Sequence, residues 1–275
     1  MITTKDIQQL RQLTGSGMMD CKKALVEAEG NIDKAIDVLR KKGQKIAASR
    51  VDRLTTEGMA LVGVNDASNS GVIITLSCET DFVAKNEEFQ QLAQQIFRLA
   101  LSQQPADLAA LKNLCINDMT VQECITELVS KVGENITLFS YDTLSGEVVV
   151  PYLHTGNKLA VLVTLEGATG NQVVEAGKDV AMQIAALNPI AIDQEHVPQS
   201  ILDKETEIAK EQAARDAKSD AVIESIVKSR LNTFLKSNTL LNQPFIKDNS
   251  LTVGQYINKV SGVLKVVAFK RVVVC

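Results

Sequence analysis

Thr120-Val121-Gln122-Glu123-Cys124-Ile125 and Thr252-Val253-Gly254-Gln255-Tyr256-Ile257 are variants of one phrase, and each leads into an apolar run, 136–139 and 266–269. A repeated phrase constrains a fold tightly, because repeated sequence implies a repeated supersecondary unit. The surroundings repeat as well. Residues 58–64 and 71–78 are strand-like, and the turn-forming Asn65-Asp66-Ala67-Ser68-Asn69-Ser70 between them makes a hairpin. A helix over 87–101 follows, with Phe89, Leu92, Ile96 and Leu99 on one side, then a helix over 119–132 and a strand over 135–141. In the second half, 146–153 and 158–166 read as a hairpin. Residues 173–187 read as a helix with Val180, Ile184 and Leu187 apolar, 252–260 as a short helix and 264–274 as a last strand. The expected fold class is α+β, with two related units, each a three-stranded antiparallel sheet with helices on one face.

Two further segments flank and interrupt this repeat. Ile7, Leu10 and Leu13 recur at helical spacing until Gly15-Ser16-Gly17 breaks the helix. Asp20 is placed to cap a second helix over 21–28, ended by Gly30. Asn31 caps a third, with Ile32, Ala35, Ile36 and Leu39 on one face and Gly43 as its stop. Three helices of this length bury little surface, so the unit is only marginally stable alone. Residues 44–56, polar and basic, read as a helical or extended tether. Inside the second unit, 198–238 is charged and helical. Ile201, Leu202 and Ile208 mark one helix. Val222, Ile223, Ile226, Leu231, Phe234 and Leu235 mark another, with a polar turn at Asp216-Ala217-Lys218-Ser219-Asp220. That is an antiparallel helical hairpin whose narrow apolar stripe pairs with itself. The chain thus divides into residues 1–54, 55–142, 143–195 with 240–275, and the 196–239 insertion.

The inventory of reactive side chains is thin. The two histidines, His154 and His196, have no metal-ligand spacing, and there is no HExxH, no GxxxxGK[ST], no GxGxxG after a strand and no GxSxG. These gaps weigh against an enzyme, a resident cofactor and a bound metal. Tryptophan is absent and aromatics are 4% of residues, which poorly supports stacking on single-stranded nucleic acid. Five scattered cysteines, without a CxxC pair and without a secretory signal, read as reduced thiols in the cytoplasm. No apolar run is long enough to span a bilayer. Residues 1–53 hold eleven Lys and Arg against seven Asp and Glu, whereas the whole chain carries −4. A basic head on an acidic body suits either docking on an acidic protein surface or a plain solvated helical face.

One junction stands out. Cys78-Glu79-Thr80-Asp81-Phe82-Val83-Ala84-Lys85-Asn86 joins a strand to a helix, and it carries an aromatic where polar residues are usual. Phe82 beside Asp81 either wedges into a partner or packs as a staple while Asp81 or Thr80 caps the helix.

The run Leu10-Arg11-Gln12-Leu13-Thr14-Gly15-Ser16-Gly17-Met18-Met19-Asp20-Cys21-Lys22-Lys23-Ala24-Leu25 resembles the N-terminal signature of the bacterial elongation factor Ts family. Glu79-Thr80-Asp81-Phe82-Val83-Ala84-Lys85-Asn86 resembles its second signature. Tyr152-Leu153-His154-Thr155-Gly156 and Leu241-Asn242-Gln243-Pro244-Phe245-Ile246-Lys247-Asp248 are similar to later blocks, in the same order. The resemblance implies a guanine-nucleotide exchange factor that binds elongation factor Tu in its GDP-bound and nucleotide-free forms. It has no covalent chemistry and no direct contact with nucleic acid or membrane. The resemblance further implies a ubiquitin-associated-like head, with Arg11, Met18 and Met19 as partner contacts. It implies that Thr80, Asp81, Phe82 and Val83 disturb the partner's Mg²⁺ site, that His154 is a contact in the second unit, and that the hairpin is a coiled-coil dimerisation module. Met18 and Met19 suit adaptable contacts, or the core of the small bundle, which one of them is expected to fill. The competing class is a scaffold protein assembled through the hairpin. Many family members continue into a C-terminal helical module, whereas this sequence ends at Val274-Cys275, which puts that contact in doubt.

Overall fold

The protein is described by a computed structural model covering residues 2–216 and 220–274, with side chains outside 214–221. Three helices come first, α1 (Thr4–Thr14), α2 (Met18–Glu27) and α3 (Ile32–Ala48). Thr3 and Asp6 close a capping box on α1, and Gly15, at φ 65°, ends it in the left-handed conformation that glycine adopts without strain. Leu10, Cys21, Ala24, Leu25, Ala35 and Leu39 form the core of the head.

Three sequence expectations need correction here. Leu13 is not on the core face of α1 but 61% exposed. Asp20 does not cap α2, because the helix starts earlier, after Gly17; it lies in the first turn and pairs with Lys42. Gly43 does not stop α3. It is buried inside the helix, where a Cβ would fall 3.0 Å from Ser130 Cβ, so the glycine permits a close helix–helix approach. The supposed tether is therefore partly structural, since Ile46 and Ala47 pack against the core of the next unit.

That unit runs β1 (Glu57–Val64), β2 (Ser70–Cys78), α4 (Asp81–Ala84), α5 (Glu87–Gln103), α6 (Leu108–Asn113), β3 (Cys115–Ile116), β4 (Met119–Thr120), α7 (Val121–Val132) and β5 (Ile136–Ser145). The next follows as β6 (Val148–Leu153), β7 (Leu159–Glu166), α8 (Asn171–Leu187), α9 (Gln199–Asp216) and α10 (Asp220–Asn238). A 3-10 turn (Leu240–Asn242), β8 (Pro244–Phe245), β9 (Asp248–Thr252), α11 (Val253–Val260) and β10 (Lys265–Val273) complete it. The polar turn expected at 216–220 centres on residues 217–219, outside the described set.

The fold is α+β with antiparallel sheets, ordered β1-β2-β5 and β10-β7-β6. In each, the later strand returns beside the second strand of the hairpin. Helices cover one face of each sheet, with Phe89, Ile96, Ile125 and Leu128 on the first and Val180, Ile184, Val253 and Ile257 on the second. The opposite faces meet. Ile73 and Ala60 pack with Val149, Ala160, Leu162 and Val272, so the two sheets share a central layer. Every residue of β2 is buried, as a strand covered on both faces must be.

The repeated phrase has a local cause. Thr120 and Glu123 form a capping box on α7, and Thr252 and Gln255 form one on α11. Each box is preceded by a miniature hairpin, β3–β4 or β8–β9. The helix expected over 119–132 therefore starts after Thr120, and Met119 and Thr120 belong to a strand. The inserted α9 and α10 pack on each other through Ala209, Ala213 and Val227, with Ile223, Ile226 and Leu231 alongside.

Candidate functional site

Apart from the inserted α9–α10 hairpin, the two α+β units also differ at the passage from central strand to long helix. In the second unit β7 ends at Glu166 and α8 begins at Asn171, with a glycine at each end of the short link, Gly167 and Gly170. In the first unit the corresponding passage, from Cys78 to Glu87, is longer and folds into α4. Function grafted on a repeated scaffold is sought where the copies diverge.

Thr80 is the N-cap of α4. Its hydroxyl accepts from the Val83 N–H at 3.5 Å and donates to Glu134 Oε1 at 2.7 Å, while its N–H donates to Glu134 Oε2 at 3.0 Å. Glu79 receives the Asn135 N–H at 2.6 Å and lies 3.4 Å from Arg53; the Asn135 amide in turn donates to Arg53 O at 2.8 Å. Val83 is buried in the first core. The turn is thus nailed down at Glu79, Thr80 and Val83. Phe82 projects from it, 82% exposed. It does not pack as a staple; the following helix α5 is capped by Asn86. Asp81 pairs with Lys85 one turn on, at 2.7 Å; the lysine's hydrogen bond and charge hold the Asp81 carboxyl below its ordinary range. Cys78 beneath the turn is buried, and burial, with Glu134 and Glu57 nearby, pushes its thiol up to about 12. It donates to Thr80 O at 3.2 Å, a structural contact.

The bracing residues Glu134 and Asn135 were invisible as such in the sequence. The register of β2 on β5, with Cys78 opposite Ile136, brings 134–135 beside 79–80. Gly133 signals a turn there, but nothing local says which loop it faces.

The remaining sequence-selected residues fall in two places. His154 lies in the β6–β7 turn, exposed, with its Nδ1 2.9 Å from the Tyr152 hydroxyl. That turn leans on the first unit: Asn157 O receives the Ala60 N–H at 2.6 Å, and Lys158 pairs with Glu57, the residue opposite Cys78. The structure therefore ties the His154 turn to the strand end that carries the tip. Arg11, Met18 and Met19 lie on the head, all exposed. Neither methionine fills the bundle core; they are 45% and 64% exposed, because α2 starts at Met18 and turns both outward. With Leu13, which helical spacing groups with Ile7 and Leu10, they are exposed apolar side chains flanking the Gly15–Gly17 turn. Among the described residues no group of three or more His, Cys, Asp or Glu could hold a metal ion, and no helix is long and apolar enough to cross a membrane.

Residues 79–275 match the family described as "Elongation factor TS". The chain is 66% identical over 273 residues to "Elongation factor Ts" of Amoebophilus asiaticus, covering 99% of both chains. It is 45% identical over 271 residues to that of Christiangramia forsetii and 44% identical over 272 residues to that of Cytophaga hutchinsonii, in each case covering 98% of both chains.

Proposed function

Because the chain belongs to the elongation factor Ts family, we propose that it is a guanine-nucleotide exchange factor acting on elongation factor Tu in the cytoplasm, without covalent chemistry of its own. The observation that carries the reading is Phe82, an aromatic ring held almost wholly in solvent on a turn braced from below. A large apolar side chain kept exposed on a rigid support is arranged to enter another molecule.

A GTPase holds GDP through backbone N–H groups, a lysine and Mg²⁺ bridging the phosphates. In the proposed mechanism Phe82 inserts between partner elements near that metal, and Asp81 exchanges Lys85 for the partner's polar groups that hold it. An exposed pair such as Asp81–Lys85 is weak, so the exchange is easy. Val83, buried in the first core, anchors the Thr80–Val83 segment that acts on the metal site. The basic head docks through Arg11, Met18, Met19 and Leu13, and His154 contributes from the second unit. Coupling is reciprocal: however much this protein weakens GDP binding, GDP weakens this protein's grip equally. Each tenfold change is about 1.4 kcal/mol, so several contact surfaces must act together.

The proposal includes a ubiquitin-associated-like head over residues 1–54, α+β units over 55–142 and 143–195 with 240–275, and a 196–239 hairpin that pairs with a second copy. Ile208 and Val222, both exposed on the hairpin, are the residues offered to that copy. The exchange reading is tested by release of labelled GDP from elongation factor Tu with and without the chain, at several Mg²⁺ concentrations. Accelerated release that added Mg²⁺ opposes is the expected result. Release at the unassisted rate would refute it, and acceleration indifferent to Mg²⁺ would refute metal displacement.

A further inference from the structure

The head patch and the Phe82 tip belong to different parts of the molecule, and one side chain touches the supports of both. Lys131, in the last turn of α7, reaches Glu127 on its own helix at 3.1 Å and Glu88 in the first turn of α5 at 3.5 Å. Helix α5 is the one that leaves the tip, with Asn86 as its cap. The aliphatic stem of Lys131 lies across Gly15, where a Cβ would fall 2.9 Å from its Cε and 3.3 Å from its Cδ. Gly15 opens the turn that ends at Gly17, and Met18 and Met19 follow at once. The neighbouring Ser130 meets Gly43 of α3 at a similarly close approach. Two adjacent residues of α7 thus receive the head at two glycines.

Helix α3 packs along α7, and a cleft opens beside these contacts. The cleft, of about 530 Å³, lies between the head, the β3–β4 hairpin and α7, lined by residues that include Leu13, Ser16, Ile36, Met119 and Glu123. At the far end of the head, away from α3, the Gly15 turn meets α7 through Lys131. The Lys131 side chain is only 25% exposed. Burial opposes its charge, but the bonds to Glu127 and the field of Glu88 outweigh burial and raise its pKa, so it stays an ammonium.

We propose that Lys131 is a positioning residue for exchange: it locks the Leu13–Met18–Met19 patch at a fixed setting relative to the Phe82 tip. The proposal rests on the exchange reading above. Two binding elements on one rigid body engage as a single event, and loosening the link lowers the effective concentration of the second at its site. Loosening therefore slows release at saturation while leaving docking by the head nearly intact. The head stays attached without Lys131, since Ile46 and Ala47 still pack on the first core.

The test uses the full chain as wild type, Lys131→Ala, Lys131→Arg, Phe82→Ala and the Lys131→Ala/Phe82→Ala double variant, against elongation factor Tu loaded with labelled GDP. Lys131→Ala is expected to lower the maximal release rate about tenfold, with the half-saturating concentration changed less than about twofold. Lys131→Arg restores the rate, because it keeps stem and charge. In the Phe82→Ala background Lys131→Ala has little further effect, since the lysine acts through the tip; a merely structural defect would multiply with it. Glu88→Gln, at an exposed position, breaks only the bridge to α5 and gives part of the same loss. A Lys131→Ala rate equal to wild type, losses that multiply in the double variant, or a loss confined to half-saturation would each overturn the joint. A wild-type chain that accelerates nothing removes the exchange reading, and the joint with it.

Discussion

Replacing Phe82 with alanine separates a side chain kept for a partner from one kept for the fold. The ring is 82% exposed and is not among the residues packed on the first core, so its removal leaves no cavity. Surface substitutions away from caps and cores change stability by about 0.5 kcal/mol or less, and the Phe82→Ala melting curve should overlay the wild type. The N-cap survives, because Thr80 and Glu134 are untouched. In the complex the situation reverses. Fully burying a phenylalanine side chain is worth about 1.5–3 kcal/mol. If that burial is reached as GDP leaves, its loss slows stimulated release by about tenfold to about 150-fold. Phe82→Leu, which keeps much of the apolar area, should lose only a few-fold. Stopped-flow release of a fluorescent GDP from elongation factor Tu, at saturating exchange factor, measures the effect; thermal melting run in parallel measures the fold. Docking on the GDP-bound partner, made before the ring is buried, should change far less than release, whereas affinity for the nucleotide-free partner, where the ring stays buried, should fall by a comparable factor. Wild-type release by Phe82→Ala would remove the ring from the mechanism. A drop of several degrees in melting temperature would show that the ring packs internally, and the reasoning from its exposure would be wrong.

Glu134→Ala should leave the Thr80 N–H and hydroxyl without their carboxylate, a loss of about 1–3 kcal/mol concentrated in the tip; faster amide exchange at 80–83 together with slower GDP release would report it, and unchanged exchange would count against the brace. Thr120→Ala and Thr252→Ala each remove an equivalent capping box and should each cost about 0.5–2 kcal/mol in denaturant unfolding; a neutral result at either would show that the box does not stabilise its helix. The raised Cys78 pKa sets a sign at alkaline pH: the unfolded chain releases this proton near 9 while the folded chain holds it to about 12, so its contribution is intact below pH 9 and is lost as pH rises toward 12. Alkylation of the native protein at pH 8 should accordingly mark exposed Cys115 and spare Cys78 until unfolding, and early modification of Cys78, read by peptide mapping, would contradict its burial.

Much of the fold was legible because its causes are local. The strands over 58–64 and 71–78, the helices over 87–101 and 173–187 and the hairpin over 198–238 all follow from periodicity and turn residues close by in the chain. The errors have a common origin. Asp20 is a good cap residue and Gly43 a good stop, yet α2 begins before the one and α3 runs through the other. Local propensity is a weak prior, and at Gly43 the packing of α3 against α7 overrides it. Leu13, Met18 and Met19 show the same limit from the other side. Their apolar character was evident, but a turn of helix decided that they face outward.

By itself the amino-acid sequence determined the order of the long helices and main strands, the repeat, the family and the position of Phe82 at a strand-to-helix junction, since each depends on neighbours within a few residues or on a motif read in line; α6 and the two miniature hairpins were not read. Only the tertiary structure decided that the two sheets share a layer, that Glu134 and Asn135 brace the tip from the far end of β5, and that Lys131 spans Gly15 and Glu88. Those contacts join residues far apart in the chain, and their partners are chosen by strand register and helix crossing, geometric quantities that exist only once the chain has closed on itself.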